Sequence, residues 1–242
     1  MRSPWRGRCI QVLIFAITSL LASHAFAQSC PQPLASARRL VLVTASGMTT
    51  TAATLQTFER AAPNEPWRAV SAAEPALIGK KGMAWAHAVR AFARAGESIK
   101  VDGDKRVPAG FYSIGKSFGT EASQRPGFLH IRHGMKCIDD PASSAYNTIV
   151  TRADTGWAAH GENMWRVPEY KSGLLVDYPT HARSRAGSCI FIHVRLPAAT
   201  GTGGCVALPE LRLAALQDFV EPGAVLAVLP RHALSRFSGC LP

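Results

Sequence analysis

The chain is 242 residues long, 47% hydrophobic and 18% charged, with 27 Lys and Arg against 16 Asp and Glu and a formal net charge of +11 at neutral pH. That length is enough for one domain with a sizeable core. The basic balance suits work beside anionic cell-wall polymers or a membrane surface, whereas nucleic acid, the usual rival, is set aside because an export signal is expected over residues 1–27 and no recognition motif is present.

Arg2, Arg6 and Arg8 form a positive leader, residues 10–22 are an apolar run broken by Gln11, Thr18 and Ser19, and Ala25-Phe26-Ala27 fits a small-residue cleavage site. Residues 1–27 therefore read as a secretory signal peptide, with an uncleaved N-terminal anchor as the rival. The run is shorter than the roughly 20 residues of a membrane-spanning helix, so no stable membrane insertion is expected after cleavage. Gln28 and Ser29 before Cys30 do not give the spacing of a lipoprotein site. The predicted location is the periplasm or outside the cell. Cleavage removes three arginines and leaves +8 of the +11.

Five cysteines remain after cleavage, Cys30, Cys137, Cys189, Cys205 and Cys240. In an oxidising compartment an odd count leaves at least one thiol unpaired within the chain, although parity does not name it. Cys30 with Cys240 is the first pairing expected, because it would tie down ends that otherwise fray, and Cys137 with Cys189 the second.

Short apolar runs at residues 40–44, 76–79, 110–114, 128–132, 147–151, 174–178, 189–196 and 224–229, punctuated by Gly, Pro, Asn and Asp, read as strands. Residues 51–60 are ambiguous, since Leu55 and Phe58 fit a helix and the threonines a strand, and residues 83–94 are ambiguous as well. A helix is predicted from Pro209, with Glu210 in its first turn and Leu208, Leu211, Ala215 and Phe219 at helical spacing, stopped by Pro222-Gly223. Its N-terminal dipole is expected to help hold negative charge at Cys205. The fold class expected is mainly β (α+β): a single β-rich domain of mixed sheets over residues 38–230, with a helix after Cys205 and a C-terminal tail at 231–242.

The chemistry concentrates in residues 188–209. On a strand, Ile190, Ile192 and Val194 share one face and Cys189, Phe191, His193 and Arg195 the other. A lone histidine there is ordinarily a partly buried ring satisfied by a carbonyl. The turn Thr202-Gly203-Gly204-Cys205 changes that balance, because it brings a thiol back towards the imidazole and its N–H groups can converge on one point. From spacing alone, a nucleophile and an ordinary disulfide cysteine weigh about evenly.

This stretch resembles the active-site signature of the L,D-transpeptidases of the YkuD family, a histidine followed by a Ser/Thr-x-Gly-Cys element, with His193 and Thr202-Gly203-Gly204-Cys205 in those places. Pro108-Ala109-Gly110-Phe111 resembles a second family segment. A divergent branch is matched more fully, through Lys100-x-x-Gly103-Asp104, Cys137-x-Asp139-Asp140, Trp157 and Glu162-x-Met164. Gly203 stands where many members carry histidine, and Ala207 where they carry Arg or Asn.

The resemblance implies a YkuD-like catalytic domain in which Cys205 attacks the carbonyl of a peptidoglycan stem peptide and His193 acts as base. Gly203 and Gly204 would supply the oxyanion hole, and no metal or organic cofactor is needed. Resolution of the thioester by an amine gives a cross-link; resolution by water gives a peptidase or amidase. Asp139, Asp140, Asp177, Glu162 or a backbone carbonyl would orient the imidazole. Lys100, Asp139, Asp140, Glu162, Tyr178, Arg195 and Thr202 are the substrate-binding candidates, with Arg132 and Trp165 beside them. Two rival classes remain: a metal hydrolase using His130, His133, His160 and His181, and a non-enzymatic envelope protein that binds cell wall through its basic surface, with Cys205 oxidised to a partner.

Overall fold

The computed structural model describes Met1 and residues 30–220 and 222–242, so the expected signal peptide lies outside the described residues. The strands are β1 (Arg39–Ala45), β2 (Ala52–Glu59), β3 (Arg68–Ala69), β4 (Glu74–Leu77), β5 (Met83–Trp85), β6 (Val107–Gly119), β7 (Leu129–His130), β8 (Lys136–Ile138), β9 (Ile149–Val150), β10 (Gly161–Asn163), β11 (Gly173–Val176), β12 (Phe191–Val194), β13 (Val206–Leu208) and β14 (Val225–Pro230). One α-helix, α1 (Glu210–Phe219), follows β13.

The larger sheet runs β1-β14-β6-β11-β12-β13-β4-β2, and pairing of β2 with β1 closes it into a barrel. Closure leaves the barrel strands no free edge along this circuit. The sheet is mixed, with β14 parallel to β1 and β13 parallel to β12. β14 is Val-Leu-Ala-Val-Leu-Pro and buried throughout, the near-continuous apolar run of a strand covered on both faces. The ambiguous segment 51–60 is a strand because β2 pairs on one side with β1 and on the other with β4, and that pairing overrides local helical spacing. Residues 83–94 divide into β5 and a 3-10 turn at His87–Phe92.

A smaller three-stranded sheet, β10-β8-β9, forms a lobe beside the barrel. Phe118, Phe191 and Cys205 of the barrel pack there with Ile131, Met135, Cys137, Met164 and Tyr170 in a second apolar cluster. The main core is a separate cluster that contains Ile190, Ile192 and Val194. The two faces predicted for β12 thus meet two different cores.

Both expected disulfides form, Cys30–Cys240 and Cys137–Cys189, as in proteins folded in an oxidising compartment. The second ties β8 of the lobe to the residues entering β12. The segment after Pro230 is built into the fold and is not a loose tail: Ala233, Phe237 and Cys240 belong to the main core, and Arg236 grips Glu97 through two nitrogens.

Helix α1 begins at Glu210 with Pro209 as its N-cap. Its inward residues are Leu213, Leu216 and Gln217, while Leu211 is 84% exposed, so the helical face expected from Leu208, Leu211, Ala215 and Phe219 is corrected. The side chains that reach β11 and β12 decide the face, and Gln217 is among them, donating to the Gly173 carbonyl at 2.9 Å. Among the described residues no helix is long and apolar enough to cross a membrane.

Candidate active site

The site is built on two neighbouring parallel strands. His193 of β12 lies opposite Ala207 of β13, and Cys205 comes two residues before Ala207, in the bend that leads into β13. The Cys205 thiol meets the N–H of Phe191, two residues before His193 on β12, which fixes it beside that strand. Both line one cleft of about 560 Å³. Cys205 is 7% exposed and, with the other four cysteines paired, is the free thiol among the described residues.

The loop at 195–205 is held by backbone pairing and not by its own secondary structure. Thr202 accepts from the Lys80 N–H and donates its own N–H to Ile78 O, extending the edge of β4. Its hydroxyl donates to Cys205 O at 2.7 Å and accepts from the Gly204 N–H at 3.1 Å. The role expected for Gly204 as an oxyanion donor is therefore corrected, since its N–H is occupied by Thr202. Gly204 contributes conformation instead: its φ is +154°, and a Cβ there would sit 3.2 Å from Arg106 O. Among the described residues the N–H groups of Gly203 and Cys205 have no protein acceptor. A Cβ at Gly203 would meet nothing within 4 Å, so this position opens into the cleft.

His193 Nδ1 lies 2.9 Å from Val194 O and takes the donor role, which leaves Nε2 as the free acceptor. A backbone carbonyl is thus its orienting partner. Burial pushes the imidazole below its ordinary value, against the opposing influences of the Val194 carbonyl and Glu169. Burial also pushes the Cys205 thiol up to about 12, which the Phe191 N–H, Tyr170 and Lys100 only partly offset and Glu162 adds to. Sγ accepts from the Phe191 N–H at 3.4 Å and faces Cys189 O at 3.6 Å. The resting pair is a neutral thiol and a neutral imidazole.

The helix dipole expected at Cys205 does not act there. β13 intervenes, three extended residues or roughly 10 Å, and the influence of a helix end fades within its first turn.

The substrate-binding candidates separate into two groups. Lys100, Asp139, Glu162, Arg195 and Thr202 all line the cleft. Lys100 is 3% exposed and donates to Asp104 at 2.7 Å and to Val101 O at 2.8 Å. Asp139 holds His160 at 2.5 Å, and Glu162 accepts from the Tyr170 hydroxyl at 2.7 Å. Asp140 and Tyr178 are not brought to the cleft. Asp140 accepts from the Ala142 N–H in a turn, and Tyr178 is buried in the main core, its hydroxyl donating to Ala186 O at 2.6 Å. The strand at β11 ends two residues before Tyr178, so its side chain joins the core face with Tyr112.

Tyr170 is the residue that sequence reasoning missed. It lies on the 3-10 turn Pro168–Lys171 and packs edge-on against Phe118, Phe191 and His193, the last at 5.6 Å between ring centroids. Burial raises its phenol well above the ordinary range and also raises the Glu162 carboxyl that it hydrogen-bonds. Glu169, Lys80 and Arg185, also unanticipated, line the same cleft. No local signal singles out Tyr170, which lies six residues beyond Met164 and behind a nearer aromatic, Trp165.

His130 and His133, the core of the metal-site alternative, diverge: His130 bonds Thr120 O and His133 packs on Trp165. Among the described residues no group of three His, Cys, Asp or Glu side chains is gathered to hold a metal ion.

No family model matches the chain, and no curated protein matches it. A similar solved structure is a variant of the helical cell shape determining protein Pgp2 from Campylobacter jejuni, at 16% identity and a TM-score of 0.41. The match covers 81% of this chain and 48% of that one, so the chain spans about half of the neighbour's length.

Proposed function

We propose that this protein is an exported cysteine acyltransferase acting on peptidoglycan stem peptides, an L,D-transpeptidase in reaction type. The observation that carries the proposal is a free, buried thiol at the entry to β13, bonded to the strand that holds an imidazole whose acceptor nitrogen is unoccupied, both in one cleft. Two disulfides and the expected signal peptide agree with a place in the cell envelope.

In this reaction Cys205 Sγ adds to the carbonyl carbon of the donor peptide as its proton passes to His193 Nε2. The N–H groups of Gly203 and Cys205 receive the oxyanion. Collapse breaks the C–N bond, the imidazolium protonates the departing amine, and a thioester remains on Cys205. A second amine attacks that thioester, gives its proton to His193 and restores the thiol. Water in place of the amine yields a hydrolase.

Incubation of the mature protein with a carbapenem, read by intact mass and peptide mapping, tests the assignment. An acyl adduct is expected on Cys205, absent in Cys205→Ser, and slowed by roughly 10²–10⁴ in His193→Ala. No adduct, or one mapped elsewhere, would sink it. Muropeptide analysis after incubation with sacculi then separates new cross-links from trimmed stems.

A further inference from the structure

The lobe carries a second feature that the cleft chemistry does not use. Trp165 and Trp157 stand on either side of the turn at His133 and Gly134. His133 packs on Trp165 at 4.2 Å between centroids, and Trp157 Nε1 donates to Gly134 O at 2.7 Å. Cations are laid over both indoles: Arg166 at 4.5 Å over Trp165, with Arg152 at 4.7 Å and Lys136 at 4.4 Å over Trp157. Arg132 is the next residue along the same turn. Arg132, His133, Arg152 and Arg166 are exposed.

Among the described residues, Arg132, Lys136, Arg152 and Arg166 form no ion pair with a carboxylate. The acid nearest in sequence, Asp154, is occupied by the N–H and hydroxyl of Thr151. A guanidinium stacked on an indole has given up much of its side-chain freedom in advance, and its N–H edge stays directed outward. Such a group takes a carboxylate or phosphate with less ordering cost than a free surface arginine. Lys136 commits its ammonium to the Trp157 and Ala159 carbonyls, at 3.2 and 3.4 Å, but the exposed Arg152 and Arg166, stacked and without a carboxylate partner, with Arg132 beside them, describe a surface prepared for a partner bearing several anions.

We infer that this Trp–Arg face of the lobe is a docking surface for an anionic strand of the cell-wall polymer, held outside the cleft while one of its peptides enters it. The occupant follows from charge complementarity and from position. Arg152 and Arg166 stand just past the ends of β9 and β10, and β10 carries Glu162 to the cleft, so one extended polymer passing round the small lobe can touch both. A lipid surface fits less well, because the exposed large hydrophobic residues, Val70, Val101 and Leu211 besides Met1, lie outside this face. The inference rests on the proposed peptidoglycan reaction for its choice of polymer, but not for the existence of the surface.

The test is co-sedimentation of the mature protein with purified sacculi over a range of salt, beside vesicles of phosphatidylglycerol and phosphatidylcholine. Arg152→Ala/Arg166→Ala is compared with Arg90→Ala/Arg231→Ala, which removes the same charge from exposed positions elsewhere. The lobe variant is expected to bind sacculi roughly tenfold more weakly at moderate salt, with carbapenem acylation of Cys205 unchanged. Equal loss in both variants, or no loss in the lobe variant, overturns the inference. So does binding to the anionic vesicles without binding to sacculi. If the native protein sediments through this face but Cys205 accepts no acyl group, the docking surface stands and the proposed reaction falls.

Discussion

The protonation state of the resting site is open to direct measurement. Burial holds the Cys205 thiol up to about 12 and holds His193 below its ordinary value, so the pair starts neutral and the thiolate forms only as substrate is attacked. At pH 7 a thiol raised from 9.0 to about 12 is ionised to roughly one part in 10⁵, a deficit of about a thousandfold against the unshifted group. Alkylation of Cys205 by iodoacetamide should therefore climb about tenfold per pH unit from pH 6 to 9 with no plateau. His193→Ala should leave that slope unchanged, since there is no ion pair to lose. The assay is mass-spectrometric counting of modified Cys205 at short times, with circular dichroism checking that the fold persists across the range. An inflection between pH 5 and 8 that disappears in His193→Ala would show a preformed thiolate–imidazolium pair and refute the reasoning. The base works in its neutral form, so a lowered imidazole pKa also extends carbapenem acylation to pH values below 6.5, the ordinary histidine value.

Two further outcomes follow from the scaffold. Cys137→Ser/Cys189→Ser opens a loop with a sequence separation of 52, and the chain-entropy relation puts its cost near 4 kcal/mol, read as a lowered urea midpoint. A loss below about 1 kcal/mol would show that the lobe is held by packing alone. Glu97→Gln removes the charge that pairs with Arg236 and leaves one acceptor oxygen where two serve Arg236, His232, the Arg94 N–H and the Trp85 indole, and is expected to cost about 3 kcal/mol at pH 7, the low end for a broken buried pair. The Arg236 guanidinium holds this carboxyl well below its ordinary 4.5. Its contribution is thus present above pH 4.5 and lost as pH falls further, so the gap between native and Glu97→Gln should narrow in acid. An equal gap at pH 7 and pH 3.5 would contradict that assignment.

The strands that were legible in the sequence are those with enough apolar residues to show alternation or a continuous run, such as β1, β12 and β14. Alternation along β12 also separated His193 from Ile192 and Val194 correctly, because each of its two faces meets a core of its own. β8, β10 and β13 have three residues each, too few for any period to register, and β13 also pairs with β4, remote in the chain. Tyr170 was hidden for a related reason. It sits on a single 3-10 turn, and what places it at the site is packing against Phe118 and Phe191 from two remote strands. Tyr178 looked equally suitable as a residue type, but the end of β11 turns it into the main core. Gly204 illustrates the limit of composition: a Gly-Gly turn announces a nest of N–H groups, but the Thr202 hydroxyl decides which of them is free.

The Cys30–Cys240 bond has a topological consequence. With a sequence separation of 210, it makes the described fold a nearly complete covalent ring. A single backbone cut in an exposed turn, for instance at Asn64 or Ala153, opens that ring without releasing a piece. The two new ends stay tethered through Cys30 and Cys240, and the closed barrel can hold them in register. Fragments should separate on a denaturing gel only after reduction, so one proteolytic nick need not end the working life of the molecule.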